Sequence, residues 1–101
     1  MRMLMHLQFP LEPFNTDVRN GTAGAKIQRI LESIKPEAAY FSEQDGKRGG
    51  ILVVDVKDAS DVPALAEPFF LTFNAHVEFR IAMTPADLAR ANLDSLGKKW
   101  A

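Results

Sequence analysis

Residues 51–56, Ile51-Leu52-Val53-Val54-Asp55-Val56, carry apolar side chains at both parities of an extended chain. Successive side chains of a strand point to opposite sides, so Leu52, Val54 and Val56 share one face while Ile51 and Val53 share the other. A strand apolar on both faces is buried on both, which places it inside a sheet and requires cover on each side.

Upstream, Ala38 to Gln44 reads as a second strand. Asp45-Gly46 is turn chemistry, but the span Asp45 to Gly50 exceeds a two-residue turn, so a wider hairpin loop is expected, with Gly49 and Gly50 marking a bulge. Before it, Ile27, Ile30, Leu31 and Ile34 recur at i, i+3, i+4 and i+7, the stripe of a helix with one buried face. Asn15 or Thr16 can cap this helix, but Gly21 and Gly24 weaken its first half, which leaves a start only near Ala23 as the alternative, and Pro36 stops it. At the start of the chain Met3, Met5, Leu7 and Phe9 alternate with Leu4, His6 and Gln8, the period of a strand that Pro10 ends.

Downstream, Ser60 can cap a helix in which Val62, Leu65, Ala66, Phe69, Phe70 and Phe73 follow helical spacing. Pro63 fits its first turn, whereas Pro68 is expected to kink it. Ala75 to Ala82 alternates again, Val77, Phe79 and Ile81 against His76, Glu78 and Arg80. Thr84-Pro85-Ala86-Asp87 then opens a last helix that runs to Leu96 and stops near Gly97, with Trp100 packing back onto the body or onto a partner.

The order is β-α-β-β-α-β plus a terminal helix, the ferredoxin-like arrangement of an α+β fold: a four-stranded antiparallel sheet with the first and third strands central. A length of 101 residues is that of one domain, residues 1–101. Twelve basic and thirteen acidic residues leave a net charge of −1, without the basic excess that a general nucleic-acid binder needs. No cysteine is present, which excludes disulfides, iron–sulfur clusters and thiolate chemistry. No stretch reaches the about 18 apolar residues of a membrane span, and the first ten residues lack the unbroken apolar run of a signal peptide, so a cytoplasmic location is expected and the Asn20-Gly21-Thr22 sequon is read as chance.

Two helices cover only one face of such a sheet. Ile51 and Val53 make the other face too apolar for a soluble monomer, and the simplest cover is a second copy, so a homodimer through the open sheet face is expected. A ferredoxin-like unit whose free sheet face meets its twin resembles the dimeric α+β barrel superfamily. Leu65-Ala66-Glu67-Pro68-Phe69-Phe70 running into Phe73-Asn74-Ala75, then Val77-Glu78-Phe79 and Met83-Thr84-Pro85, resembles small uncharacterised bacterial members of that group. The resemblance implies a fold and a dimer. It leaves function open, because the superfamily includes cofactor-free monooxygenases, lactone isomerases, haem-binding enzymes and stress-responsive proteins with no established chemistry. No catalytic motif is present through which a family residue's role can be transferred.

The face turned to the partner carries Leu4, His6 and Gln8 from the first strand and His76, Glu78 and Arg80 from the fourth. Antiparallel pairing sets His6 opposite Glu78 and Gln8 near His76, while Tyr40 joins from the second strand if it, rather than Phe41, takes that side. Two readings stand. In one, these six residues line a pocket for a small, partly apolar organic ligand, and its enzymatic form is a cofactor-free monooxygenase or isomerase with His6 or His76 as a proton-transfer base oriented by a carboxylate and Arg80 holding an anionic oxygen. In the other, the charges guard an edge strand, or Glu78 and Arg80 bridge the dimer, and the barrel is filled by its own side chains. No metal or cofactor is expected, since His6 and His76 lie in no local ligand motif such as H-E-x-x-H.

Other patterns carry less. Arg48-Gly49-Gly50 is a single copy, and Gly21 and Gly24 fit no phosphate-binding loop. An RNA-recognition domain of this topology needs aromatics on its third strand, and Ile51 to Val56 has none. Neither nucleic acid nor membrane is an expected partner.

Overall fold

Strand β1 (Arg2–Gln8) is followed by helices α1 (Phe14–Asn20) and α2 (Ala23–Ile34), strands β2 (Ala38–Phe41) and β3 (Gly49–Asp55), helix α3 (Val62–Phe73), strand β4 (His76–Ile81), and helices α4 (Pro85–Arg90) and α5 (Leu93–Lys99). This is a computed structural model, and it describes residues 1–101. The strands form one antiparallel sheet in the order β2-β3-β1-β4, which is the ferredoxin-like α+β topology with β1 and β3 in the middle.

One face of the sheet is buried. Met5, Leu7 and Phe9 lie beside Leu52, Val54 and Val56, and α2 and α3 close over them with Ile30, Phe69 and Phe73. The stripe Ile27, Ile30, Leu31 and Ile34 faces this core. Phe9, Phe14 and Phe73 tie sheet to helices, with ring centroids 5.2 Å apart for Phe9–Phe14, 5.4 Å for Phe9–Phe73 and 4.9 Å for Phe14–Phe73.

Several local expectations are corrected. The hairpin between β2 and β3 is tight. Asp45 and Gly46 both take positive φ, 53° and 78°, and close a two-residue turn on reciprocal backbone bonds between Gln44 and Lys47 of 2.8 and 3.0 Å. β2 ends at Phe41, β3 begins at Gly49, and no bulge intervenes, because Phe41 pairs with Gly50 in the register that sets Tyr40 beside Ile51. Gly49 and Gly50 are there for clearance: a Cβ on Gly49 meets the Leu7 carbonyl oxygen at 2.6 Å, and one on Gly50 meets that of Tyr40 at 3.0 Å.

The striped helix starts at Ala23, the later of its two expected starts, and a separate short helix, α1, precedes it. Gly21, at φ 72°, ends α1, and its N–H and that of Thr22 bond back to the carbonyls of Val18 and Asp17. Asn15 and Thr16 lie inside α1 and do not cap it, and the Thr16 backbone and hydroxyl both donate to Glu12 Oε2. Asp58, not Ser60, caps the turn Ala59–Asp61 that leads into α3, accepting from Ser60 N at 3.0 Å. α3 runs through Pro68 to Phe73 as one helix.

The terminal helix is two. Thr84 and Asp87 form the expected capping box of α4, but Asn92, at φ 55°, breaks the chain and then caps α5, and Gly97 lies inside α5. Trp100 does not pack on the body, being 77% exposed. The molecule measures 59 × 28 × 19 Å with a radius of gyration of 17.0 Å, against about 13 Å for a compact chain of this length. No helix is long and apolar enough to cross a membrane.

Candidate functional site

The ladder fixes the second face of the sheet row by row. One row holds Tyr40, Ile51, His6 and Glu78; the next holds Ala38, Val53, Leu4 and Arg80; and Gln8 pairs with Gly49 and His76. His6 therefore lies opposite Glu78 and Gln8 opposite His76, as antiparallel pairing predicts. Tyr40 is on this open face, whereas Phe41, one residue on, falls on the helix side beside Gly50. No helix packs here. Leu4, Ile51 and Val53 are half-buried by their strand neighbours alone, and Tyr40 is exposed.

Five of the six candidates converge at one end of this face; Tyr40 stands in the same row, two strands from Glu78. His6, Gln8, His76, Glu78 and Arg80 line a hollow of about 300 Å3 together with Leu7, Gln44 and Asp45. His76 Nε2 lies 3.1 Å from Glu78 Oε1, and Arg80 donates to Glu78 Oε2 at 3.4 Å. Gln8 donates its side-chain amide to the Gln44 carbonyl at 3.2 Å, which ties the hairpin to the central strand. The hydrogen bond with His76, reinforced by the charges of His76 and Arg80, holds the Glu78 carboxyl below its ordinary range. Glu78 is thus an anion near neutral pH, placed to orient the His76 ring. An imidazole so oriented can take or return a proton on a bound molecule, and the guanidinium beside it can hold an anionic oxygen.

Gln44 and Asp45 belong to this wall only because the hairpin is tight; the Asp45-Gly46 dipeptide was the signal for that turn. The structure brings no three His, Asp or Glu side chains into a metal-ligating cluster. A second hollow of about 540 Å3 opens on the helix side, under the hairpin, where Phe9, Phe14, Ile27 and Phe41 form apolar walls. The Arg48 guanidinium caps it, 4.6 Å from the centre of the Phe14 ring.

Sheet order, antiparallel register and one-sided helices make this a ferredoxin-like α+β protein with an uncovered sheet face. No protein-family model and no curated protein matches the chain. Among solved structures it is similar to 5-chloro-2-hydroxyhydroquinone dehydrochlorinase from Burkholderia phenoliruptrix AC1100, in complex with 2,5-dihydroxybenzoquinone. The TM-score is 0.56 at 18% identity, over 86% of this chain and 99% of that one. At this identity the likeness is one of fold.

Proposed function

We propose that two copies of this chain face each other through the open sheet, as a dimeric α+β barrel, and that the hollow at His6, Gln8, His76, Glu78 and Arg80 binds a small, partly apolar organic molecule bearing an acidic oxygen. The observation that carries this reading is the His76–Glu78–Arg80 chain of contacts beside His6 and Gln8 on a hollow of about 300 Å3. These side chains are half or more exposed, so as surface ion pairs they contribute little to stability, about 0–1 kcal/mol each. A base, its orienting carboxylate and a guanidinium are the groups that recognise such a ligand, and Leu4, Ile51 and Val53 supply apolar contact alongside. A second copy over the face excludes water and strengthens every polar contact within. Support from the fold is that its similar structure holds a hydroxyquinone, a molecule of this chemical kind.

The test is thermal and calorimetric titration with 2,5-dihydroxybenzoquinone and hydroxylated aromatic acids. Binding is expected to raise stability by about 2.7 kcal/mol at one hundred times the dissociation constant, and His76→Ala and Arg80→Ala are expected to weaken it at least tenfold. No stabilisation by any probe, or stabilisation unchanged in His6→Ala, His76→Ala and Arg80→Ala, overturns the site. The charges on β4 are then an edge guard.

A further inference from the structure

Ala82 still bonds to the Arg2 carbonyl, and Met83, Thr84 and Asp87 share a hollow with Met1, Arg2, Glu37 and Asp55; from Leu88 the chain leaves the body. Every residue from Leu88 to Ala101 is exposed, although α4 and α5 are built with care: a Thr84–Asp87 capping box starts one, and Asn92 both ends it and caps the next. Helices of 6 and 7 residues are far below the about 12–15 residues at which an isolated helix becomes even marginal in water. They need a surface to pack on. Beyond the first turn of α4 their own body provides none, yet they carry what such packing uses. Leu93, Leu96 and Trp100 recur at i, i+3 and i+7 along one side of α5, with Leu88 on α4 and Met83 before it, all between 43% and 77% exposed.

We propose that this C-terminal arm, residues 83–100, docks on a second copy of the chain and supplies a large part of the dimer interface. The proposal rests on the dimer reading above and adds the segment that completes it. The argument is one of area. Strands of 7, 4, 7 and 6 residues, at about 3.4 Å per residue and about 4.8 Å apart, give the open face a flat footprint of about 400 Å2. A standard stable interface takes about 800 Å2 from each partner. The flat sheet face is a small footprint for such an interface, and the apolar arm, every residue of which is exposed from Leu88 on, is the further area that a second copy can bury. The long axis of 59 Å, set against 28 and 19 Å in the other directions, gives the arm the reach to embrace a neighbour. Its polar side, Asp94, Ser95, Lys98 and Lys99, then faces water.

Trp100 is the chain's single tryptophan, so the full-length protein reports on its own arm. Sedimentation velocity gives the dissociation constant, and tryptophan emission with acrylamide quenching is followed across the same concentrations. Docking is expected to move the emission to shorter wavelength and to cut quenching severalfold as dimer forms. Leu96→Glu, which alters an exposed residue of the free chain, is expected to raise the dissociation constant at least tenfold with an unchanged circular-dichroism spectrum, and Leu93→Lys to repeat it should the first variant misfold. A dimer whose tryptophan stays fully quenchable, and which Leu96→Glu and Leu93→Lys leave intact, overturns the arm and spares the dimer. A chain that stays monomeric at every concentration overturns both. A tryptophan shielded equally in monomer and dimer places the arm on its own body and overturns the proposal.

Discussion

Val53→Lys separates assembly from folding. Val53 lies on β3 in the middle of the open face, between Ala38 on β2 and Leu4 on β1. It is half-buried in the single chain, so a lysine there keeps its ammonium in water and costs the monomer under about 1 kcal/mol, the span of strand propensities. In a face-to-face dimer the change acts twice, because a two-fold interface presents the same residue from both sides. Each copy loses about half the burial of a valine, roughly 0.7 kcal/mol. Each also forces a like charge toward its twin; with the ammonium escaping along its stem, that adds about 1–2 kcal/mol per copy. The total, about 4 kcal/mol, corresponds to roughly a thousandfold in the dissociation constant. Sedimentation velocity measures that shift, and urea unfolding of the dilute protein checks that the monomer is intact. A variant that dimerises within threefold of the parent shows that the open sheet is not the interface, and the reasoning from Ile51 and Val53 fails with it.

Gly49→Ala is expected to cost about 1–3 kcal/mol as an overpacked site, since its Cβ meets the Leu7 carbonyl oxygen at 2.6 Å; an unchanged urea midpoint refutes this. The Glu78 carboxyl is held below its ordinary value of 4.5 chiefly by the hydrogen bond with His76. What this contact contributes is therefore fully present above pH 4.5 and fades as the pH falls through the lowered value. Carboxyl-detected NMR should find Glu78 titrating below 4.5 in the parent and higher in His76→Ala, and equal midpoints disprove the contact. Asp17 is 5% exposed, and its Oδ1 takes Lys26 Nζ at 2.7 Å while Oδ2 has no partner. Lys26→Met leaves that carboxylate with only the Thr22 hydroxyl and is expected to cost roughly 1–3 kcal/mol, read by urea unfolding at pH 7; a loss of stability no greater than that of Arg29→Met, at an exposed position of the same helix, contradicts it.

The sheet was legible because a period of two leaves few choices. Met3-to-Phe9 and Val77-to-Ile81 each have one wholly apolar parity, so the parity carrying His6, Gln8, His76, Glu78 and Arg80 had to face the other way, and antiparallel pairing of the two strands set His6 across from Glu78. Tyr40 was ambiguous because Ala38 to Phe41 is apolar at both parities; only the ladder to Ile51 decides its face. Gly21 and Asn92 each end a helix by adopting positive φ. The glycine signals its break in the sequence, whereas an asparagine inside a helical pattern gives little warning. The hairpin reads longer than it is because Gly49 and Gly50 look like turn residues, while their role is to let β3 pass close to Leu7 and Tyr40. What the hollow binds is written in no spacing, since its wall joins residues from β1, β4 and the hairpin tip.

The order β2-β3-β1-β4 also has a consequence for biosynthesis. The central strand β1 leaves the ribosome before both of its neighbours, β3 and β4, which end at Asp55 and Ile81. At about 5–20 residues per second, Met5, Leu7 and Phe9 wait several seconds for their last flanking strand. During that time the nascent chain holds an apolar strand with first both hydrogen-bonding edges free and then, once β3 is made, one. Chaperone engagement is therefore to be sought at β1 of the emerging chain.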